Sequence, residues 1–240
     1  MKWEVRTMRS GTSFFNVTVW KKTVLRFWPI WAVGLVFWVL ALPAQGMMAL
    51  QRQLENGGDW LLSFSASVDG LGGDTALSFA VVFGLLAAMA VCSHLYSSRS
   101  ANFMGALPVR REGLFVSHYT AGLSMLLLPN IVVFLLTLLV EALGGAVMWP
   151  PLMFWLTALS GMEFFFYSFA VCIGMFTGHL LALPIFYAVF NALAAALRWL
   201  LDYALLSFYY GYSSNYEAGE AMAWLTPVLQ LARSVESDDF

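Results

Sequence analysis

Charged side chains are scarce in this sequence of 240 residues: Asp, Glu, Lys and Arg make up 11% of it, and hydrophobic residues make up 60%. A soluble domain typically has about 25% charged and about 45–50% apolar residues, so the composition excludes that class. The apolar residues form long continuous runs, which is the pattern of membrane-spanning α-helices. We therefore expect an all-α integral membrane protein.

Motifs for common kinds of catalysis are also missing. Only two cysteines occur, Cys92 and Cys172, and both fall inside apolar runs, so neither a disulfide framework nor a cysteine metal site is expected. The sequence has no GxxxxGKS or GxxxxGKT loop for a nucleotide and no HExxH pair for zinc. Ser160 and His179 fall at different depths, which argues against a serine–histidine dyad. We expect no enzyme, and no cofactor or metal bound by this chain.

Hydropathy predicts about five membrane spans, each near the ~20 residues that cross a ~30 Å apolar core. The predicted spans cover residues 27–50, 76–96, 119–143, 152–175 and 179–201. Together they define a predicted transmembrane domain over residues 27–201. An aromatic and acidic tail, residues 202–240, follows it.

Residues 1–26 are polar and basic, and their second half has an amphipathic pattern. Apolar residues share one helical face and basic residues lie opposite, as in a helix that lies in the membrane interface. The residues assigned to this interfacial helix are Trp20, Lys21, Lys22, Arg26 and Trp28. The alternative is a basic flank that only anchors the first span.

The basic residues concentrate in residues 1–26 and 97–118, whereas most acidic residues fall on the other side of the predicted spans. Segments rich in Lys and Arg tend to stay in the cytoplasm. We therefore expect the N-terminus and residues 97–118 to be cytoplasmic. An odd number of spans then places residue 240 outside the cytoplasm.

Several polar residues fall inside the predicted spans at similar depth. They form a candidate intramembrane cluster of Asn130, Ser160, Glu163, Tyr167 and Asn191. A carboxylate at this depth is costly unless it is protonated, paired or hydrated. One interpretation is a residue that lines a substrate cavity or gate, and the other is a hydrogen-bonded group that holds helices together. The sequence leaves both open.

Residues 97–118 are polar and basic between two apolar runs, with amphipathic residues such as Phe103 and Phe115. Pro108 should end one short helix and allow another to begin, which leads into the third span. The centre of the segment, Gly-Ala-Leu-Pro-Val-Arg-Arg-Glu at residues 105–112, resembles the cytoplasmic stretch after the second span of ABC-2-type permeases. The likeness is greatest to the larger permeases of Gram-positive bacteria, which carry an extracytoplasmic insertion. Arg110 stands where that family commonly has a small hydroxyl residue.

This resemblance implies the membrane subunit of an ABC transporter in a bacterial plasma membrane. In such a permease the segment is a coupling helix, on which a separate ATPase subunit docks and uses ATP. The residues that the resemblance assigns to coupling are Asn102, Phe103, Leu107, Pro108, Val109, Arg110, Arg111, Glu112 and Phe115. Members of the family usually have six spans per half-transporter, so the sixth span that the resemblance implies is missing from this sequence.

The resemblance also implies a second permease subunit as partner, the lipid bilayer around both, and no nucleic acid. The expected activity is movement, in the export direction, of an amphiphilic substrate such as a peptide antibiotic or a lipid-like compound. The alternative is a membrane protein outside transport, such as an immunity or assembly factor, that binds a cytoplasmic partner through residues 97–118.

Overall fold

The structure, a computed structural model, describes residues 15–56, 60–96, 111–145 and 147–208. Within these ranges the chain is helical without any strand, which confirms the predicted all-α class. The helices are α1 Val17–Arg26, α2 Trp28–Ala41, α3 Pro43–Asn56, α4 Trp60–Gly70, α5 Ala76–Tyr96, α6 Arg111–Leu143, α7 Trp149–Phe176 and α8 Ala182–Phe208.

Four helical segments in the described ranges are long and apolar enough to cross a membrane. They are the α2–α3 pair over Trp28–Glu55, the Ala76–Ser93 part of α5, and the whole of α6 and α7. They correspond to the first four predicted spans and fit a multi-pass membrane protein. Helix α8 covers the fifth, but its described apolar stretches, Ala182–Leu193 and Trp199–Phe208, are each shorter than a span. The fifth span therefore stays a prediction.

The first predicted span, residues 27–50, is divided into two helices at Pro43. Proline has no N–H and disfavours the helical conformation of the residue before it. Leu42 accordingly ends α2 with φ −110° and ψ −75°. The Gly46 N–H donates to the Leu42 carbonyl at 2.9 Å, so helical hydrogen bonding resumes in α3.

Helix α6 runs without interruption through the predicted boundary between the coupling segment and the third span. It begins at Arg111 and continues for 33 residues to Leu143, or about 50 Å at 1.5 Å per residue. Residues 111–118, placed by the sequence in the coupling segment, thus form the first turns of a membrane helix. Whatever moves Arg111 acts directly on this helix.

The glycine-rich stretch after α3 contains a helix that hydropathy misses. Trp60, Phe64 and Val68 of α4 are buried at a spacing of four residues, which puts them on one helical face. Trp60 lies directly against Gly144, which follows α6, where a side chain would collide with the indole ring. This helix packs onto the bundle, but with 11 residues it is too short for a span.

The core lies between α5 and α7, whose backbones approach closely. A Cβ on Gly84 would lie 3.0 Å from the Tyr167 amide nitrogen and 3.2 Å from the Phe166 carbonyl carbon. Small residues at such crossings allow van der Waals packing, which drives helix association in lipid. Helix α2 completes this core through Trp38, whose ring meets the Trp155 ring edge-on at 5.1 Å between centroids.

Candidate functional site

A buried carboxyl–amide pair joins α6 to α7 near the middle of both helices. The Asn130 side-chain amide donates to Glu163 Oε2 at 2.7 Å, and the two residues are 1% and 0% exposed. Glu163 lies about 20 Å from either end of α7 at 1.5 Å per residue, which is near the centre of a ~30 Å apolar core. The sequence predicted both residues as members of one cluster, and the structure brings them together.

Pro129 directly precedes Asn130 and changes the polar character of this part of α6. Because proline has no N–H, the Met125 carbonyl loses its usual helical donor. Both Met125 and Pro129 line a small cavity that also reaches Asn130 and Glu163. The centre of the bundle therefore combines a carboxyl group, an amide and a backbone carbonyl that lacks its ordinary donor.

The other predicted members of the cluster make different contacts. The Tyr167 hydroxyl donates to the Tyr119 carbonyl at 2.9 Å, and the Tyr119 hydroxyl bonds Ser168 Oγ at 2.7 Å. These bonds add a second polar connection between α6 and α7. The Asn191 amide donates to the Tyr187 carbonyl of its own helix, and Ser160 is half-buried one turn before Glu163. Asn130, Glu163 and Tyr167 thus make the contacts between α6 and α7, whereas Asn191 bonds within α8.

A second polar contact ties α1 to the first turns of α6. The Asn16 N–H donates to Ser117 Oγ at 2.8 Å, and the Trp20 indole donates to Ser124 Oγ at 3.1 Å. Each serine hydroxyl in turn donates to a carbonyl of its own helix, at 2.7 Å for Ser117 and 2.8 Å for Ser124. Their single protons are thereby committed, which leaves both oxygens as acceptors toward α1. We call this the α1–α6 contact.

Thr23 and His118 extend the α1–α6 contact in the same way. The Thr23 hydroxyl donates to the Val19 carbonyl at 2.9 Å, so it accepts from His118 Nδ1, which lies 3.2 Å away. Both side chains are buried. Sequence reasoning assigned Trp20 to the interfacial helix but missed its partners on α6. The available signal was the polar series Asn16, Trp20 and Thr23 on one side of α1.

The cationic side chains assigned to the interfacial helix lie away from this contact. Lys21, Lys22 and Arg26 are exposed, and Trp28 at the start of α2 is exposed as well. Helix α1 begins with an N-cap, in which Asn16 Oδ1 accepts from the Thr18 and Val19 amides at 3.0 and 3.3 Å. Its location in a membrane interface stays a prediction.

Three of the residues assigned to coupling are described, and all lie at the beginning of α6. Arg111 and Glu112 are exposed, and Phe115 is 42% exposed beside the Tyr119 ring, 6.0 Å away between centroids. The remaining assigned residues, Asn102, Phe103, Leu107, Pro108, Val109 and Arg110, lie outside the described residues. The described three form an exposed patch, with Phe115 one turn from both charged residues.

No grouping of three or more His, Cys, Asp or Glu side chains suitable for a metal ion occurs in the part of the chain that the structure describes. Over the residues that the structure describes, the fold defines a class: an all-helical protein with four helical segments able to span a membrane. No protein-family model, curated protein or solved structure matches the chain. Its function is therefore inferred from its own residues.

Proposed function

We propose that the chain is the permease subunit of an ABC transporter, driven by a separate ATPase subunit that docks on residues 97–118. The observation that carries this proposal is the α1–α6 contact. Helix α6 begins within the segment whose sequence resembles a coupling helix, and α1 is hydrogen-bonded to its first turns through Ser117, His118 and Ser124. A force applied to the segment therefore acts on α1 and α6 together.

Helix α6 provides a direct route from the docking segment to the centre of the bundle. Its exposed first turn carries Arg111 and Glu112, and further along the same helix Asn130 bonds Glu163 of α7. Closure of the ATPase subunits would tilt α6 through its first turn and strain this bond. In this mechanism the Asn130–Glu163 pair opposes separation of α6 from α7 until ATP drives it.

The membrane, the partner subunits and the substrate class that we propose follow from the charge distribution and the family resemblance. The exposed Lys21, Lys22 and Arg26 of α1 suit anionic lipid headgroups on the cytoplasmic face of a bacterial plasma membrane. A second permease subunit completes the transporter, and the substrate class is amphiphilic compounds moved outward. ATP is bound by the partner subunit, because this sequence has no phosphate-binding loop.

The decisive experiment is co-expression with each ABC ATPase encoded in the source genome, followed by purification through a tag on the proposed permease. We expect the ATPase to co-purify and its ATP hydrolysis to rise in the complex. The double variant Arg111→Ala, Phe115→Ala should lower ATPase recovery at least ~10-fold, which is about 1.4 kcal/mol of binding free energy. Arg52→Ala, which changes an exposed arginine on α3, is the matched control and should have no effect.

Failure of any ATPase to co-purify with the wild-type chain, together with unchanged ATP hydrolysis, would contradict the transporter proposal. Capture of a different cytoplasmic protein, lost in the Arg111 and Phe115 variant, would instead favour an immunity or assembly factor. Both results use the same preparation, so one experiment separates the two functions.

A further inference from the structure

The hydroxyl of Tyr96 joins the end of α5 to the end of α7. It donates to the Gly174 carbonyl at 2.7 Å and lies 2.8 Å from the Thr177 hydroxyl. Because the single Tyr96 proton goes to the carbonyl, the Tyr96 oxygen accepts from Thr177. We call these three residues, Tyr96, Gly174 and Thr177, the Tyr96 junction.

The Tyr96 junction caps the C-terminal end of α7. The last four carbonyls of a helix have no donor amide within the helix, and the Gly174 carbonyl is one of them. Thr177 leaves the helical conformation, with φ −87° and ψ 139°, and its N–H donates to the Ile173 carbonyl at 3.1 Å. The Gly174 carbonyl instead receives its shortest bond from Tyr96, on another helix. The last turn of α7 therefore depends on α5.

Three helices meet at Gly174, where a side chain would not fit. A Cβ at this position would lie 2.9 Å from Cys92 Sγ of α5 and 3.1 Å from Leu183 Cδ1 of α8. Cys92 and Tyr96 are four residues apart, so they lie on the same face of α5, one turn from each other. A displacement of the last turn of α5 therefore acts on the end of α7 and on the start of α8.

The Tyr96 junction lies directly beside the proposed docking segment in sequence. Tyr96 is the last residue of α5, and residues 97–118 follow it. Consecutive Cα atoms are about 3.8 Å apart, so a partner that displaces residue 97 also moves Tyr96. The other end of the segment belongs to α6, whose Ser117 and His118 bond α1. The segment is therefore attached to α7 at one end and to α1 at the other.

We propose that the Tyr96 junction is a second coupling point, through which a partner bound to residues 97–118 acts on α7 and α8. Tyr96 is a positioning residue that holds the last turn of α7. Movement of the docking segment withdraws the Tyr96 hydroxyl, so this turn loses its cap and opens. The inference rests on the proposed function for the identity of the partner, the ATPase subunit. The dependence of α7 on Tyr96 does not rest on it.

Amide hydrogen exchange of the full chain in lipid nanodiscs tests the cap without any partner. Tyr96→Phe keeps the ring but removes both bonds, so amides 173–177 should exchange at least ~3-fold faster, without change at the start of α7. Thr177→Val removes one bond and should have a smaller effect. The matched controls are Tyr203→Phe, at a residue 61% exposed on α8, and Thr157→Val, whose hydroxyl bonds carbonyls of α7 itself. Unchanged exchange of amides 173–177 in Tyr96→Phe would overturn the proposal.

The same measurement on the complex with the co-purified ABC ATPase, with and without ATP and vanadate, tests the coupling. In the wild type, nucleotide trapping should accelerate exchange of amides 173–177 at least ~3-fold. In Tyr96→Phe the ATPase should be recovered in the normal amount, but exchange should already be fast and should not respond to trapping.

Two results would overturn the coupling role: no response in the wild-type complex, or an equal response in Tyr96→Phe. Failure of every ATPase to co-purify would instead contradict the proposed function, and the coupling role would fall with it. The exchange rates of the free chain would still decide whether Tyr96 caps α7, so the two failures are distinguishable.

Discussion

At the scale of single residues, Asn130 and Glu163 are central because each would be costly alone. Asn130 donates to only one of the two Glu163 oxygens. The bond joins α6 and α7, which are connected in sequence by a turn that contains Gly145. Removing either partner leaves a buried polar group without a bond. Replacing both residues should therefore lower the free energy of unfolding by less than the sum of the two single replacements.

A double-mutant cycle measures this dependence. We expect Asn130→Leu and Glu163→Leu each to lower the free energy of unfolding by about 1–3 kcal/mol, and the double variant to lose less than their sum. Hydrogen bonds between membrane helices have coupling energies that average about 0.6 kcal/mol and reach about 1.7. Reversible unfolding of the purified chain in bicelles gives the values. Strictly additive losses would show that the two side chains do not stabilise each other.

A conservative substitution of Glu163 distinguishes a structural role of this residue from a role in transport. Glu163→Gln preserves the Asn130 bond through its carbonyl oxygen, so we expect normal protein abundance. If Glu163 acts in the substrate pathway, transport-coupled ATP hydrolysis should fall at least ~5-fold, or about 1 kcal/mol. Unchanged transport with normal abundance would exclude the transport role and keep the helix-joining role. A loss of protein abundance would also favour the helix-joining role.

At the scale of helices, the crossing of α5 and α7 depends on the absent side chain of Gly84. A methyl group there would press on the Tyr167 and Phe166 backbone, which cannot rotate away as a side chain could. Gly84→Ala should therefore lower the unfolding free energy by about 1–3 kcal/mol through overpacking. Gly161→Ala on α7, with no atom within 4 Å of the new methyl, is the matched control. Thermal unfolding in one detergent compares them, and equal stability of both variants would contradict the close crossing.

The α1–α6 contact predicts which substitutions weaken the attachment of α1 to the bundle. Asn16→Ala removes the N-cap of α1, a loss of about 0.5–2 kcal/mol, and Ser117→Ala removes the acceptor for the Asn16 N–H. Each change should accelerate amide hydrogen exchange in α1 by roughly 3-fold or more without changing exchange in α7. Lys22→Ala, an exposed change on the same helix, serves as control. Unchanged amide exchange rates in α1 in both variants would show that the α1–α6 contact does not hold α1 against the bundle.

These elements also show where sequence patterns succeed and where they fail. Hydropathy finds α5, α6 and α7 because their apolar runs are continuous, and Pro43 correctly signals an interruption in the first run. Hydropathy misses α4 because this helix has only 11 residues between flanks rich in Gly and Asp, although Trp60, Phe64 and Val68 follow a helical period. The α6 serines that accept hydrogen bonds from Asn16 and Trp20 are about 100 positions away in sequence, so only the folded structure reveals them.

At the scale of the whole molecule, the sides of the membrane follow from the order of the helices and their charges. The α2–α3 pair, α5, α6 and α7 alternate in direction if each crosses once, so the beginning of α6 and the exposed lysines of α1 share one side. Basic residues favour the cytoplasm for that side. We therefore expect the end of α3 and the start of α7 to face outward.

Single cysteines and an impermeant maleimide test this topology in intact cells, after Cys92 and Cys172 are replaced by alanine. Lys21→Cys and Arg111→Cys should be labelled only after the cells are permeabilised, because both sites would face the cytoplasm. Leu54→Cys and Trp149→Cys should be labelled from outside, and their side chains are 81% and 52% exposed. Ser207→Cys, near the end of α8, should join the outside group if α8 crosses the membrane. Labelling of Lys21→Cys from outside would invert the topology and remove the proposed ATPase docking side.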